Sequence, residues 1–212
     1  VLGARRLERL DAISNRITDA GGSAIARATD VTKPDDVQGL VDQAVDRFGR
    51  LDVLVNCAGI GLISRFDDGR VDDWDRMIDV NLKGSLYGVA AALPVFRAQK
   101  RGHFVTVLST AGIKIVPTMG VYAGTKNAIR TAFEALRQES GPDLRVTTVS
   151  PGAVATEFGT HIGDEALRED IVAMQERIGL PPEAVARAIA YAIAQPAEVD
   201  VNEIVLRPTA QG

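Results

Sequence analysis

Short apolar runs alternate with longer amphipathic stretches along the chain, and this alternation limits the fold more than any other feature. Residues 5–20 carry apolar side chains at helical spacing, whereas Leu51 to Val55 is a short apolar run typical of a strand buried on both faces. The alternation of strand and helix patterns continues through a long helical region at 71–99 and a strand at 103–109 to a last strand at 202–206. Strands that alternate with helices predict an α/β fold, a doubly wound parallel sheet in a single domain.

The composition narrows the class of protein. The 212 residues include 46% hydrophobic and 25% charged side chains, which is typical of one globular domain over residues 1–212. A net charge of −4 without a basic block argues against nucleic acid as a partner. Since no apolar run approaches the length of a membrane span, we expect no membrane partner either. Cys57 is the single cysteine, which excludes an internal disulfide and fits a cytoplasmic location.

One stretch, residues 105–126, contains residues suited to proton chemistry on an oxygen. It begins with a buried-strand pattern, passes Ser109 and a loop containing Gly and Pro, and enters a helix near Val121. Tyr122 and Lys126 are four residues apart, so a helix places them on one face, where the ammonium would lower the pKa of the phenol. Ser109 could hold a substrate oxygen against that phenol. Taken alone, the Tyr–Lys pair is also typical of an ordinary surface contact.

Three further motifs accompany this stretch in order. They are NCAG at 56–59, Asn81 within DVNLKG, and PGAVAT at 151–156. With the Ser–Tyr–Lys set of residues 105–126, they make the chain resemble the short-chain dehydrogenase/reductase family over essentially its whole length. The resemblance implies a Rossmann-type sheet. It also implies a first strand and a Gly-rich turn that would precede Val1 and that this chain does not include.

The resemblance implies a role for each polar residue of the catalytic set. Tyr122 would act as the acid or base, Lys126 would lower its pKa and hold the nicotinamide ribose, and Ser109 would position the substrate oxygen. Asn81 would hold a water that links Lys126 to solvent. Taken alone, a polar residue inside a predicted helix is more typical of an exposed position.

The cofactor implied by the resemblance is NADP, with NAD as the alternative. Arg5 and Arg6 follow a strand end, where Arg suits a 2′-phosphate, and Ala4 stands where NAD-preferring relatives carry an acid. Asp30 would accept a hydrogen bond from adenine, although it also suits a turn, and Thr156 would contact the nicotinamide amide or simply cap a turn. The residues expected to bind the cofactor are Arg5, Arg6, Asp30, Val31, Asn56, Ala58, Gly59, Tyr122, Lys126, Pro151, Gly152, Val154 and Thr156.

We therefore expect an NADP-dependent oxidoreductase acting on a small secondary alcohol, ketone or hydroxy acid. The alternative class is a non-catalytic NADP-binding relative that senses the cofactor or has a structural role. Residues 157–180 are predicted to be a lid over the substrate, with a fixed helical insertion as the alternative. No metal site is predicted, because His103 and His161 lack metal-ligand spacing.

The two longest predicted helices also suggest a homodimer or homotetramer. Helices at 71–99 and 121–140 carry apolar residues on more than one side, and surplus apolar faces favour partners. The residues on which this prediction rests are Leu86, Val89, Leu93, Phe96, Ile129, Phe133 and Leu136.

Overall fold

The computed structural model describes residues 1–211, which form six strands and seven α-helices, with one or two α-helices between successive strands. The strands are β1 (Leu2–Ala4), β2 (Ala26–Ala28), β3 (Val53–Asn56), β4 (Gly102–Val107), β5 (Leu144–Pro151) and β6 (Glu203–Leu206). The helices are α1 (Leu7–Asp19), α2 (Pro34–Phe48), α3 (Val71–Met77), α4 (Gly84–Gln99), α5 (Gly120–Ser140), α6 (Glu165–Ile178) and α7 (Pro182–Ile193). A π-helical turn, Ile78–Lys83, joins α3 to α4, and 3-10 turns include Thr110–Gly112 and Glu157–His161.

Every strand pair among residues 1–211 is parallel, which confirms the predicted sheet type. β1 pairs with β2, and β3, β4, β5 and β6 form a second sheet in that order. Asn56 lies beside Thr106 and Thr106 beside Thr148, so the carboxyl ends of three neighbouring strands lie at one edge. In open parallel sheets that edge is where ligands bind.

The prediction that residues 51–55 are buried on both faces is wrong. Val55 is 40% exposed, and the rest of β3 is only half-buried. Within residues 1–211, β3 is the edge strand of the four-stranded sheet and hydrogen-bonds to β4 alone. β4 lies between two strands, and its residues Gly102–Thr106 are buried.

The main core lies where α4 and α5 pack on the central strands. Phe96 on α4 and Phe104 on β4 meet edge to face at 4.8 Å, and Phe133 on α5 joins the same cluster. Phe96, Ile129 and Phe133 are at most 1% exposed, so the expectation that they form a surplus face is wrong. These three side chains point to the sheet and are used by the core. Leu86, at 41%, does remain exposed.

The helical region predicted at 71–99 is three elements rather than one helix. The π-helical turn at Ile78–Lys83 interrupts it, and this wider turn directs Asn81 into the interior. Pro94 lies inside α4, and the helix continues past it to Gln99. Pro94 and Ala90, whose carbonyl loses its helical donor, are both exposed, so water can take the place of the missing N–H.

Candidate active site

Ser109, Tyr122 and Lys126 come together just beyond the carboxyl end of β4. Ser109 caps the turn at Thr110–Gly112, where its hydroxyl oxygen accepts a hydrogen bond from the Ala111 N–H at 3.1 Å. Tyr122 lies in the first turn of α5 and Lys126 one turn later, so both side chains face the same side. Tyr122 is 8% exposed and Lys126 is 5% exposed. The alternative of an ordinary surface contact is therefore wrong.

Burial controls the ionisation of these groups. It raises the pKa of the Tyr122 phenol to about 12, and a hydrogen bond with the Ser109 side chain opposes that rise only in part. The Lys126 ammonium donates to the Val107 carbonyl at 3.0 Å and lies 5.9 Å from the centre of the Tyr122 ring. Burial lowers the pKa of Lys126 to about 8. Burial therefore outweighs the Ser109 hydrogen bond in setting the pKa of Tyr122, and the lowering of that pKa by Lys126 stays a prediction.

Asn81 is fully buried in the π-helical turn and fixes the loop that follows β3. Its amide oxygen accepts from the Ile60 N–H at 2.8 Å, and its amide nitrogen donates to the Ile60 carbonyl at 2.9 Å and the Thr125 hydroxyl at 3.1 Å. Its exposed fraction is 0%, so the alternative of an exposed polar residue is wrong. A Cβ added to Gly59 would lie 3.4 Å from Asn81 Oδ1 and 3.2 Å from Lys126 Nζ. Gly59, Asn81 and Lys126 therefore converge.

The NCAG motif leaves an exposed stretch of backbone at the end of β3. Asn56 donates from its side-chain amide to the Thr106 hydroxyl at 3.3 Å, and Gly88 on α4 provides the space for that amide. Residues 57–59 are exposed. Cys57 is a free cysteine. Ala58 and Gly59 thus offer main chain that a flat ligand can approach closely.

Asp30 forms a turn at the carboxyl end of β2. Its carboxylate accepts from the Thr32 N–H at 3.0 Å and the Thr32 hydroxyl at 2.8 Å, and these bonds, together with the nearby positive charges of Lys33 and Arg5, lower its pKa. Arg5 therefore lies on the Asp30 side of the site. Val31 packs against α4, since a Cβ on Gly84 would lie 2.9 Å from its methyl group.

Arg6 has a different environment from Arg5. Its guanidinium and that of Arg9 form ion pairs with Glu157 at 3.2 and 3.1 Å. All three side chains are more than half exposed, so each pair contributes little to stability. The two adjacent arginines, predicted as one pair for the 2′-phosphate, are thus directed to different neighbours.

The PGAVAT segment is held by contacts that the sequence did not reveal. Two backbone bonds join Ala153 and Ala155 to Leu180, and the Ala153 N–H also donates to Gln211 Oε1 at 2.9 Å. Gln175 on α6 donates from its buried side chain to the Val154 carbonyl at 2.6 Å. Sequence reasoning missed both glutamines, because each acts on backbone far away in the chain and belongs to no motif.

The remaining residues of this segment lie at the end of β5 and in the turn that follows it. Pro151 is buried at the end of β5, and the Gly152 N–H donates to the Leu206 carbonyl at 2.8 Å. Thr156 caps the next turn by accepting from the Phe158 N–H at 3.3 Å, as its alternative assignment predicted. Val154 lies between them, half-buried. The segment therefore presents Val154 and Thr156 near the same sheet edge as the Ser–Tyr–Lys set.

Residues 157–180 consist of a 3-10 turn and α6, and they pack onto the site. The Phe158 ring meets the Tyr122 ring edge to face, with centroids 5.3 Å apart, and Ile162 is 1% exposed. The segment is therefore folded over Tyr122 in this structure. Its exchange between open and closed forms stays a prediction.

Metal-binding clusters and membrane-spanning helices are both absent from the described part of the chain. Residues 1–211 contain no group of three or more His, Cys, Asp or Glu side chains that could hold a metal ion. Within the same residues, no helix has both the length and the apolar character needed to cross a membrane.

The sequence profile of the short chain dehydrogenase family matches residues 1–166, and the chain belongs to this family. An uncharacterized oxidoreductase of Staphylococcus saprophyticus is 46% identical over 214 residues, which cover 100% of this chain and 86% of the relative.

Solved structures share the fold along nearly the whole chain. An alcohol dehydrogenase from the archaeon Thermococcus sibiricus, complexed with 5-hydroxy-NADP, has a TM-score of 0.87 at 29% identity and covers 100% of this chain and 86% of its own. The closed form of a serine dehydrogenase complexed with NADP+ has a TM-score of 0.89 at 30% identity, over 99% of this chain and 85% of its own. The Rossmann-type α/β fold is therefore confirmed.

Proposed function

We propose that this protein is an oxidoreductase that transfers a hydride between NADP(H) and a small secondary alcohol, ketone or hydroxy acid, with Tyr122 as acid or base. The observation that carries the proposal is the buried set beyond β4, in which Ser109 hydrogen-bonds the phenol and Lys126 lies one helical turn away. Buried polar groups are costly unless they are paired. A phenol kept out of water beside a serine hydroxyl is suited to proton transfer to an oxygen.

The ionisation of the site favours Tyr122 as a proton donor near neutral pH. Because burial raises its pKa to about 12, the phenol keeps its proton, while Lys126, whose pKa burial lowers to about 8, stays mostly protonated. The phenol would donate to a ketone oxygen that the Ser109 hydroxyl also contacts, and the Lys126 ammonium would stabilise the phenolate left behind. Asn81 would hold a water that returns the proton from solvent. The nicotinamide, when bound, supplies or accepts the hydride.

The residues predicted to bind the cofactor fit a dinucleotide. Exposed backbone at Ala58 and Gly59 beside Lys126 suits a flat ring and its ribose, and Asp30 offers a charged acceptor for adenine. Two related proteins were solved with NADP+ or 5-hydroxy-NADP, which supports a nicotinamide cofactor here. We infer NADP rather than NAD because Arg5, next to Asp30, offers a cation for the 2′-phosphate.

Three further features belong to the same proposal. Residues 157–180 would act as the lid, since Phe158 already contacts Tyr122. A homodimer or homotetramer would form through α4 and α5, where Leu86 is exposed and Val89, Leu93 and Leu136 are half-buried. The protein would work in the cytoplasm, where its exposed Cys57 would stay reduced.

The test of this function is nicotinamide turnover by the purified protein. NADPH oxidation is followed with ketones, diketones and 2-oxo acids, and NADP+ reduction with the matching alcohols and hydroxy acids. NADPH binding is titrated separately by fluorescence. Turnover of any pair supports the oxidoreductase, and the complete Ser–Tyr–Lys–Asn set leads us to expect it. Tight binding without turnover would favour the non-catalytic sensor instead, and no binding would contradict both.

A further inference from the structure

The Phe158 ring occupies the space next to the Tyr122 phenol. The two rings meet at an interplanar angle of 63° with centroids 5.3 Å apart, which is direct edge contact. The ring also lies against Gly61, in the buried loop after β3. A Cβ added to Gly61 would overlap Phe158 Cε2 and Cζ. The aromatic ring therefore contacts both the Tyr122 ring and a backbone position that has no side chain.

The surroundings of the two rings are apolar except on the side of Ser109 and Lys126, and the Lys126 ammonium already donates to the Val107 carbonyl. Tyr122 and Phe158 belong to a cluster that includes Leu62, Met119 and Ile162, and Leu62 and Ile162 are at most 6% exposed. A carboxylate placed in such a cluster loses its hydration, and this costs several kcal/mol unless a cation pairs with it. The cluster thus favours an uncharged substrate over a hydroxy acid.

We propose that Phe158 is a specificity-determining residue: its ring, seated against Gly61, limits the substrate at Tyr122 to small, uncharged aliphatic ketones and secondary alcohols. The inference rests on the proposed function and narrows its substrate class. A substrate on this side of the phenol would lie against the edge of the Phe158 ring, so each added substituent would meet the ring or the apolar walls. Any side chain at position 61 would occupy the space that the Phe158 ring now fills. Gly61 therefore determines how far this ring can move away from the Tyr122 phenol.

The experiment compares kcat/KM for butan-2-one, 1-phenylethanone and pyruvate with NADPH as the reductant. Phe158→Ala is expected to raise the ratio of 1-phenylethanone to butan-2-one by roughly tenfold or more, and Phe158→Leu by less, as expected for a change in pocket volume. Gly61→Ala is expected to change the same ratio in the presence of Phe158 and to leave it unchanged in a Phe158→Ala background. Phe48→Ala, at the exposed end of α2, is the matched control and should not alter the ratio.

The outcomes separate this inference from the function on which it rests. Wild-type turnover with an unchanged ratio in both Phe158 variants would overturn the size limit alone, as would a Gly61→Ala effect that persists without Phe158. A wild-type preference for pyruvate over butan-2-one would overturn the uncharged class. Absence of any turnover by wild-type protein that binds NADPH would contradict the proposed function and the inference together. Thermal unfolding and NADPH affinity of each variant show that a changed ratio is not a folding defect.

Discussion

The two sides of the candidate site are built in opposite ways. The side proposed to carry out catalysis, called the catalytic side, consists of Asn81, Ser109, Tyr122 and Lys126. Its side chains are buried or half-buried, with hydrogen bonds to backbone or to one another. The cofactor side consists of the strand ends at Arg5, Arg6 and Asp30 together with residues 57–59, and most of it is exposed. Its ion pairs, such as Arg6 with Glu157, lie in water.

This contrast determines how much a single change can do on each side. A buried group that loses its partner leaves the other partner unsatisfied, at about 1–3 kcal/mol for a neutral hydrogen bond. An exposed ion pair contributes about 0–1 kcal/mol and weakens with salt. We therefore expect substitutions on the catalytic side to have large effects, and substitutions on the cofactor side to change preference more than stability.

The largest effect is expected for Tyr122→Phe. The variant keeps the ring that packs against Phe158 but loses the hydroxyl that hydrogen-bonds Ser109 and would transfer the proton. General acid–base catalysis contributes typically 10²–10⁴-fold, so kcat should fall by about that factor while NADPH affinity changes little. Steady-state kinetics and fluorescence titration measure the two quantities.

Tyr191→Phe is the matched control for this prediction. Tyr191 lies on α7, is 59% exposed and should keep wild-type kinetics when its hydroxyl is removed. More than a tenth of the wild-type rate remaining in Tyr122→Phe would contradict the role of Tyr122 as the acid. Equal losses in both variants would point to a general effect on the protein.

The next effect concerns His103, which lies near the amino end of β4, at the opposite end of the strand from the candidate site. Burial and the neighbouring positive charge of Arg145 lower the pKa of His103 to about 4, while its Nε2 lies 2.8 Å from the Thr147 hydroxyl. The folded pKa is below the unfolded value of 6.5, so the neutral ring stabilises the fold above that pH. This stability is lost as the pH falls from about 6.5 towards 4, by about 3 kcal/mol.

Chemical denaturation at pH 7 and pH 4 measures this loss. His103→Gln removes the titrating ring, so its stability should fall less than that of the wild type over the same interval, by a difference on the order of 2–3 kcal/mol. His161→Gln, at an exposed position, should follow the wild type. An identical pH dependence for His103→Gln and the wild type would show that His103 is not held neutral by the fold.

The sequence predicted the catalytic side better than the rest because local spacing defines it. Four residues along a helix bring Tyr122 and Lys126 together whatever surrounds them, and the strand pattern before Ser109 locates the turn. The ionisation of Tyr122 did not follow from spacing, since it depends on how deeply the ring is buried. Asn81 is buried and Val55 is exposed, the reverse of what their sequence patterns suggest when taken alone. A periodic pattern does not show which neighbouring elements cover a face.

Contacts between segments that are distant in the chain could not be predicted from the sequence, for the same reason. Gln175 holds the PGAVAT backbone from α6 by donating to a carbonyl, and Gln211 holds it from the end of the described chain by accepting from an N–H. A glutamine that bonds to distant backbone in either way has no sequence signature. The Phe158 contact with Gly61 joins segments almost one hundred residues apart. Such contacts can be recognised only in the folded structure, where the sheet determines the distance between the loops.

The smallest effect, and the sharpest test of the exposed cofactor side, is expected for Arg5→Asp. Arg5 lies close enough to Asp30 to lower the pKa of that carboxyl. Aspartate at position 5 would replace the cation proposed for the 2′-phosphate and would add a second anion beside Asp30, so it should repel NADP and accept the ribose hydroxyls of NAD. We expect the ratio of kcat/KM for NADPH over NADH to fall by roughly tenfold or more, as charge-assisted hydrogen bonds at exposed sites suggest, with melting temperature nearly unchanged.

Arg16→Asp makes the same charge change near the exposed end of α1 and should leave the ratio unaltered, which separates a local contact from a change in overall charge. Equal use of NADPH and NADH by the wild type would contradict the preference itself, whereas a wild-type NADPH preference that survives Arg5→Asp would shift the 2′-phosphate contact to Arg6, which would then have to leave Glu157.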